Sequence, residues 1–223
     1  MTEVPEGDYV DADGVVYQEL GASYRLQDAK SLSKSEYNIL SKINGKPVTE
    51  IFYSAFKDCV SLIKVTIPNS VTSIGMMAFE GCTSLKTIKI PDSVEGIQPM
   101  AFADCTSLKT ITLPNSLNGI GISAFSNCTG LTGTLIIPLS VTYIGDFAFY
   151  NCSNLTIKFL SRNSYYDISY DYMRPVMSDN YVGVKILVKS SDLEWYCDQC
   201  VVFSLSINPE DENYYGNYNI STY

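Results

Sequence analysis

A phrase that returns every 23 residues restricts this chain more than any other feature. Cys59, Cys82, Cys105, Cys128 and Cys152 stand 23, 23, 23 and 24 residues apart. Ala-Phe precedes each of them in fixed register, at Ala55-Phe56, Ala78-Phe79, Ala101-Phe102, Ala124-Phe125 and Ala148-Phe149. A Leu follows each at Leu62, Leu85, Leu108, Leu131 and Leu155. Between the phrases run Ile67-Pro68-Asn69-Ser70-Val71, Ile90-Pro91-Asp92-Ser93-Val94, Leu113-Pro114-Asn115-Ser116-Leu117 and Ile137-Pro138-Leu139-Ser140-Val141, leading to Ile74, Ile97, Ile120 and Ile144. A unit this short cannot bury its own apolar edge, so the units must stack.

Leu85, Ile88 and Ile90 have the L-x-x-L-x-L spacing of a leucine-rich repeat, in which alternate residues of a short strand point inward. The Pro that follows cannot donate to a ladder, so it ends the strand and turns the chain. Val71 through Phe79 then brings the chain back with Val, Ile, Ala and Phe turned inward. The expected fold is a leucine-rich-repeat solenoid, a right-handed coil with a parallel sheet on the concave face and short extended or 3₁₀ turns on the convex face. Five coils at about 4.8 Å per strand give a core about 24 Å long. Phe79, Phe102 and Phe125 should stack inside it, and the five repeat cysteines fall between Phe and Leu, where Cys packs as a small hydrophobe rather than as a metal ligand. Stacked side chains also point in parallel, whereas a disulfide needs them to converge.

The unit Ala-Phe-x-x-Cys-x-x-Leu-x-x-Ile-x-Ile-Pro-x-Ser-Val-x-x-Ile-Gly resembles the BspA-like leucine-rich repeat family, closely over residues 48–160. The resemblance implies a bacterial surface or secreted protein, with related repeats in some parasitic protists, commonly linked to adhesion to host proteins or other microbes. Two departures stand out. Gln98 replaces the Gly found at Gly75, Gly121 and Gly145, and an extra residue between Leu131 and Ile137 is expected to form a bulge.

A solenoid must close its core at both ends. Residues 1–47 read as a β-rich N-terminal cap, with strands at Val15-Val16-Tyr17 and Tyr24-Arg25-Leu26 around Gly21 and a turn at Asn44-Gly45 leading to Val48 and Ile51. Residues 48–160 hold about five repeats. Residues 161–223 read as a C-terminal cap and tail containing 10 of the 17 tyrosines, with a last strand at Val184–Val188, a helix start at Ser191-Asp192-Leu193-Glu194, and a polar stretch from Asn208 to Tyr223.

The charge of −9 lies outside the repeats: residues 1–45 carry 8 acids and 4 bases, 46–160 carry 7 of each, and 161–223 carry 9 and 4. No basic stripe can be read from the sequence, so neither nucleic acid nor an anionic membrane is expected as a partner. No run approaches the ~20 apolar residues of a membrane span. The opening MTEVPEGDYV lacks the basic and apolar segments of a signal peptide, leaving a cytoplasmic protein or a secreted one whose signal has been removed.

Catalytic chemistry has little to work with. The chain has no His, which removes Ser-His-Asp and Cys-His pairs and every His-containing zinc site, and it has no phosphate-cradling Gly loop. Cys197-Asp198-Gln199-Cys200 lacks both a βαβ context and a second Cys pair, and leaves packed or free thiols, a local disulfide or a functional role open. Asp167, Asp171 and the run Glu210-Asp211-Glu212 lack calcium-loop spacing. Sequons at Asn127, Asn151, Asn154 and Asn219 are weak signals, and the first two adjoin a core Cys. No enzyme, metal or cofactor is expected.

The expected function is extracellular protein interaction, as an adhesin fragment taking a protein or glycoprotein ligand. Alternatives are a structural spacer and the non-catalytic part of a larger secreted enzyme. Strand alternation turns two rows outward: Lys64, Thr87, Thr110 and Thr134, and Thr66, Lys89, Thr112 and Ile136. Thr suits any exposed strand, but these rows are free of acids although the caps are acidic, and a rigid concave sheet is the usual binding surface of a solenoid. They are the candidate ligand contacts, together with the tyrosines of the C-terminal cap.

Overall fold

Pro68, Pro91, Pro114 and Pro138 each end one side of a coil and start the next, and the chain winds as a β-solenoid of stacked coils. A computed structural model describes residues 7–159 and two further strands at 185–188 and 219–222. The strands are β1 (Tyr9–Val10), β2 (Val16–Glu19), β3 (Tyr24–Asp28), β4 (Glu36–Asn38), β5 (Lys42–Ile43), β6 (Lys46–Ile51), β7 (Lys64–Thr66) and β8 (Ser73–Ile74). There follow β9 (Thr87–Lys89), β10 (Gly96–Ile97), β11 (Gly119–Ile120), β12 (Gly133–Ile137), β13 (Tyr143–Ile144), β14 (Leu155–Phe159), β15 (Lys185–Val188) and β16 (Asn219–Thr222). From β6 to β16 every neighbour along the three sheets is parallel, as stacked coils require.

The leucine-rich strands form one side, called here the strand face. β4, β7 and β9 make a three-stranded sheet, and β12, β14, β15 and β16 a four-stranded one. Between them Thr110–Thr112 is held to β9 only by a bridge from Thr110 to Thr87. The extra residue expected between Leu131 and Ile137 falls on the far side of this segment, at β12. Gly133 sits at φ +80° at the start of β12, so the ladder that carries Thr132 N–H to Lys109 O (3.1 Å) does not run on in register. β16 falls in the polar stretch that showed no strand signal; its pairing with β15 runs from Asn219 to Thr222. The expected helix start at Ser191–Glu194, Cys197 and Cys200, and the tyrosines of 161–184 lie outside the described residues.

The return side is extended, and its two-residue strands do more than turn the chain. β8, β10, β11 and β13 pair with one another and, through β6 and β3, with the N-terminal strands in a nine-stranded sheet. Here coils approach closely. A Cβ on Gly121 or Gly145 would lie 2.4 Å from backbone nitrogen of the preceding coil, at Pro99 and Ile122. Gln98 has that Cβ, and its N–H reaches Ile74 O at 3.2 Å where Gly121 and Gly145 bond at 2.8 and 2.7 Å.

A third ladder runs along the Ala-Phe-x-x-Cys turn. Ser54, Met77, Met100, Ser123 and Phe147 open it and Asp58, Asp104, Asn127 and Asn151 close it, all at φ between 54° and 60°. Gly81 holds the closing position in its coil, at φ +70°. Left-handed residues at both ends aim alternate amides at the next coil: Met77 N–H donates to Pro99 O, Phe79 N–H to Ala101 O and Gly81 N–H to Ala103 O, at 2.8–3.0 Å. Asp, Asn and Gly tolerate this conformation, whereas Met and Phe adopt it only because the neighbouring coils over-determine it. Asn127 Nδ2 donates to Asp104 Oδ1 (2.8 Å) and Asn151 Nδ2 to Asn127 Oδ1 (3.1 Å), so two of the sequon asparagines brace this turn.

Inside, Phe56, Phe79, Phe102, Phe125 and Phe149 form one fully buried stack with centroids 4.9–5.5 Å apart and planes within 8°. The expected stack of three is thus five rings long, and Tyr37 tilts onto its N-terminal end. The five repeat cysteines are buried free thiols. Each donates S–H to a carbonyl of the preceding coil, as Cys82 does to Phe56 O at 3.0 Å and Cys105 to Phe79 O at 3.2 Å. Burial pushes Cys59 up to about 11 and Cys105 and Cys152 up to about 12, and holds Cys82 and Cys128 well above the ordinary thiol value.

At the N-terminal end β1, β2 and β3 form an antiparallel meander whose last strand joins β6 in parallel. Asn44 and Gly45, at φ 51° and 81°, make the tight turn between β5 and β6. The cap is pinned by buried hydroxyls. Leu40 N–H donates to Tyr17 Oη (3.2 Å), the Tyr17 hydroxyl to Tyr37 Oη (2.7 Å), and the Tyr37 hydroxyl to Asp11. Burial pushes Tyr17 up to about 12.

Truncating the central ring, Phe102→Ala, is expected to cost about 3–5 kcal/mol in a reversible urea melt; a loss under about 1 kcal/mol would mean that the stack carries no weight. The thiols supply a second expectation. Above about pH 8.5 the unfolded chain ionises its cysteines while the folded chain keeps them protonated, so stability should fall as pH rises from there toward the folded values of about 11–12. The slope approaches ~1.4 kcal/mol per pH unit for each thiol. Urea midpoints compared at about pH 7.5 and pH 10 measure it, and a flat profile would contradict buried, protonated thiols.

Candidate functional site

The strand alternation that buries Val65, Ile88, Ile111 and Leu135 turns their neighbours out. Lys64 and Thr66 stand on β7, Thr87 and Lys89 on β9, Thr110 and Thr112 on the bridged segment, and Thr134 and Ile136 on β12; all eight are exposed. Register aligns Glu36 with Lys64 and Lys64 with Thr87 in one row, and Asn38, Thr66 and Lys89 in the other. Past the interruption Thr134 aligns with Thr156 and Ile136 with Lys158. The eight residues therefore share one face but lie in two blocks, offset at Gly133.

Two cations of this face escape the alternation argument. Lys86 and Lys109 sit one residue before Thr87 and Thr110, so strict alternation would turn them inward with Ile88 and Ile111. Both are exposed, because the chain is still leaving the turn at that point: Lys86 N–H donates to Ile63 O and Lys109 N–H to Lys86 O, at 2.9 and 3.1 Å. They extend the face by a third row along its edge.

Charge is sorted by side. Of the seven bases of residues 46–160, Lys64, Lys86, Lys89, Lys109 and Lys158 lie on the strand face or its edge. None of the seven acids does: Glu50 lies on β6, Glu95 next to β10, and Asp58, Glu80, Asp92, Asp104 and Asp146 in turns. Lys64 meets Glu36 of β4 at 3.8 Å, with both side chains more than half exposed. Lys86, Lys89 and Lys109 form no ion pair among the described residues. Lys57, on the turn side, is paired with Glu80 at 2.8 Å.

A second surface is apolar. Tyr53, Met76, Pro99 and Ile122 hold one position in four successive coils, just before the left-handed residues; Asp146 holds it in the fifth, next to the exposed Phe147. Tyr53, Met76, Ile122 and Phe147 are 41–48% exposed. Beside them a shallow groove opens between β10, β11 and β13, where Gly96 and Gly119 leave the sheet uncovered and Gln98 and Tyr143 form the walls.

Among the described residues no three potential metal ligands come together, the thiols are protonated inside the core, and no helix is long and apolar enough to cross a membrane. Cys197, Cys200, Asp167, Asp171 and Glu210–Glu212 lie outside the described residues.

The pattern that defines the BspA type leucine rich repeat region matches residues 46–171 in six copies. The leucine-rich repeat protein of T. pallidum is similar in structure, 34% identical with a TM-score of 0.60, over 70% of this chain and 71% of that one. A leucine rich cell surface protein of Faecalibacterium prausnitzii A2-165 is 31% identical with a TM-score of 0.63, over 73% of this chain but 42% of its own length. The pneumococcal vaccine antigen PcpA, 17% identical, shares the fold with a TM-score of 0.71 over 99% of this chain and 49% of that one. This chain thus spans less than half of the last two. Comparison with curated proteins gives no match. With the repeat pattern covering more than half of the 223 residues, and the coils stacked as that pattern requires, the chain belongs to the BspA type leucine rich repeat family.

Proposed function

We propose that this chain is a non-catalytic interaction module displayed at a bacterial surface, of the adhesin kind, and that it takes a protein or glycoprotein partner across the strand face. The observation that carries this reading is the face itself: Lys64, Thr66, Thr87, Lys89, Thr110, Thr112, Thr134 and Ile136 are all exposed on one side of the stacked coils that nothing in the described chain covers. Membership of a repeat family and the surface location named for the F. prausnitzii relative support it. The partner extends from the repeats of 48–160 toward the tyrosine-rich segment of 161–223.

The turn-side line favours a second docking position. Tyr53, Met76, Ile122 and Phe147 are aromatic, Met and aliphatic residues of the sort enriched at the centres of protein interfaces. Binding of candidate host matrix and surface glycoproteins to the immobilised chain identifies a partner, and two double variants then locate it. Lys89→Glu with Thr112→Arg is expected to weaken binding at least about tenfold without lowering the Tm, because both side chains are exposed. Met76→Asp with Ile122→Asp should leave binding unchanged. The reverse result moves the partner to the turn side, and loss in neither variant removes it from the repeats.

A further inference from the structure

The strand face carries most of the cations of the repeats beside rows of hydroxyls, and we infer that it binds a linear acidic polysaccharide, a sulfated or uronate glycan, laid across the coils. This rests on the strand face being the binding surface and names the chemistry that it would take.

Three observations lead there. The first is charge. Five of the seven repeat-region bases and none of its seven acids lie on this face, so a neutral stretch of sequence presents a positive side. Lys86, Lys89 and Lys109 have no internal counter-ion among the described residues, and a polyanion would supply it by exchanging its own bound cations for ammonium groups. The second is geometry. Lys86 and Lys109 occupy one position on adjacent coils, their backbones about 4.8 Å apart. The charges therefore step along the solenoid axis, and a chain running along the axis meets them in turn.

The third is what accompanies the charge. Thr66, Thr87, Thr110, Thr112, Thr134 and Thr156 present hydroxyls that both donate and accept, suited to the hydroxyl, sulfate and carboxylate groups of a sugar. The described strand face has no Trp, Tyr, Phe or Arg turned outward. It thus lacks the aromatic platforms on which neutral sugar rings and unpaired bases stack, and the guanidinium fork that reads nucleic acid. Lys as a point charge and Thr as a hydroxyl remain, a set suited to a sulfated or uronate chain, free or carried on a glycoprotein.

The test uses the full chain and heparin as the probe, with dextran, poly-glutamate and a single-stranded oligonucleotide as comparisons. Heparin is expected to bind, with log Kd rising linearly with log salt. Replacing Lys86, Lys89 and Lys109 together by Gln should weaken binding at least about tenfold and flatten that slope, with the Tm unchanged. The triple variant Lys30→Gln, Lys42→Gln, Lys57→Gln makes the same change in net charge elsewhere and should keep wild-type affinity. Absence of heparin binding at low salt, or equal losses in the two triple variants, overturns the inference. So does dextran, poly-glutamate or the oligonucleotide binding as tightly as heparin at about 0.15 M salt, where long-range attraction is screened. A protein partner released by Lys89→Glu with Thr112→Arg, on a chain that ignores heparin, sinks this inference and leaves the wider reading of the face standing.

Discussion

The contact between one coil and the next, repeated every 23 or 24 residues, is what every other feature of this protein depends on. A single coil has no interior: its Phe, Cys and Leu are covered only when the equivalent residues of its neighbours lie above and below. The polar backbone obeys the same rule. Gly121 N–H bonds Ile97 O, Phe79 N–H bonds Ala101 O and Cys105 Sγ bonds Phe79 O, so ladders on separate sides of the coil all run between coils. Shifting one coil by a single residue would break these ladders and misalign the Phe stack together, which holds register in a fold with few other long-range constraints.

What could be read from the sequence was what repeats in identity. Ala-Phe-x-x-Cys-x-x-Leu is the same in all five copies because its side chains meet like with like in the core, so both burial and the ring stack follow from spacing. The outward position of Thr87 and Lys89 followed from strict alternation. What stayed hidden is what the backbone does where side chains vary. Ser54, Met77, Met100, Ser123 and Phe147 share one left-handed conformation but no chemistry, because the inter-coil hydrogen bonds impose it. At the other end of that turn a signal did exist: Asp58, Gly81, Asp104, Asn127 and Asn151 are residue types that tolerate positive φ. The nine-stranded return sheet could not be seen, since strands of two residues have no period to detect.

The candidate site shows the same division. Its eight residues were legible as a set because they inherit the alternation of the strands. Lys86 and Lys109 were not, since they lie where a turn is becoming a strand and period-two reasoning gives the wrong sign. The sorting of charge was legible only in part: seven acids against seven bases reads as neutrality until the coil assigns each to a side. A composition count along the chain averages over exactly the direction in which the charge varies.

The stacked arrangement also fixes how the molecule yields to force. Because each coil is bound only to its neighbours, tension applied at the two ends along the coil axis loads the coil contacts one after another rather than all at once. A coil of 23 residues contributes about 5 Å to the rod when wound. Once peeled off it can extend to about 80 Å. Pulled in this way, the repeats lengthen in nearly equal steps, one coil at a time, so that the length of the rod changes long before its last coil contact is lost.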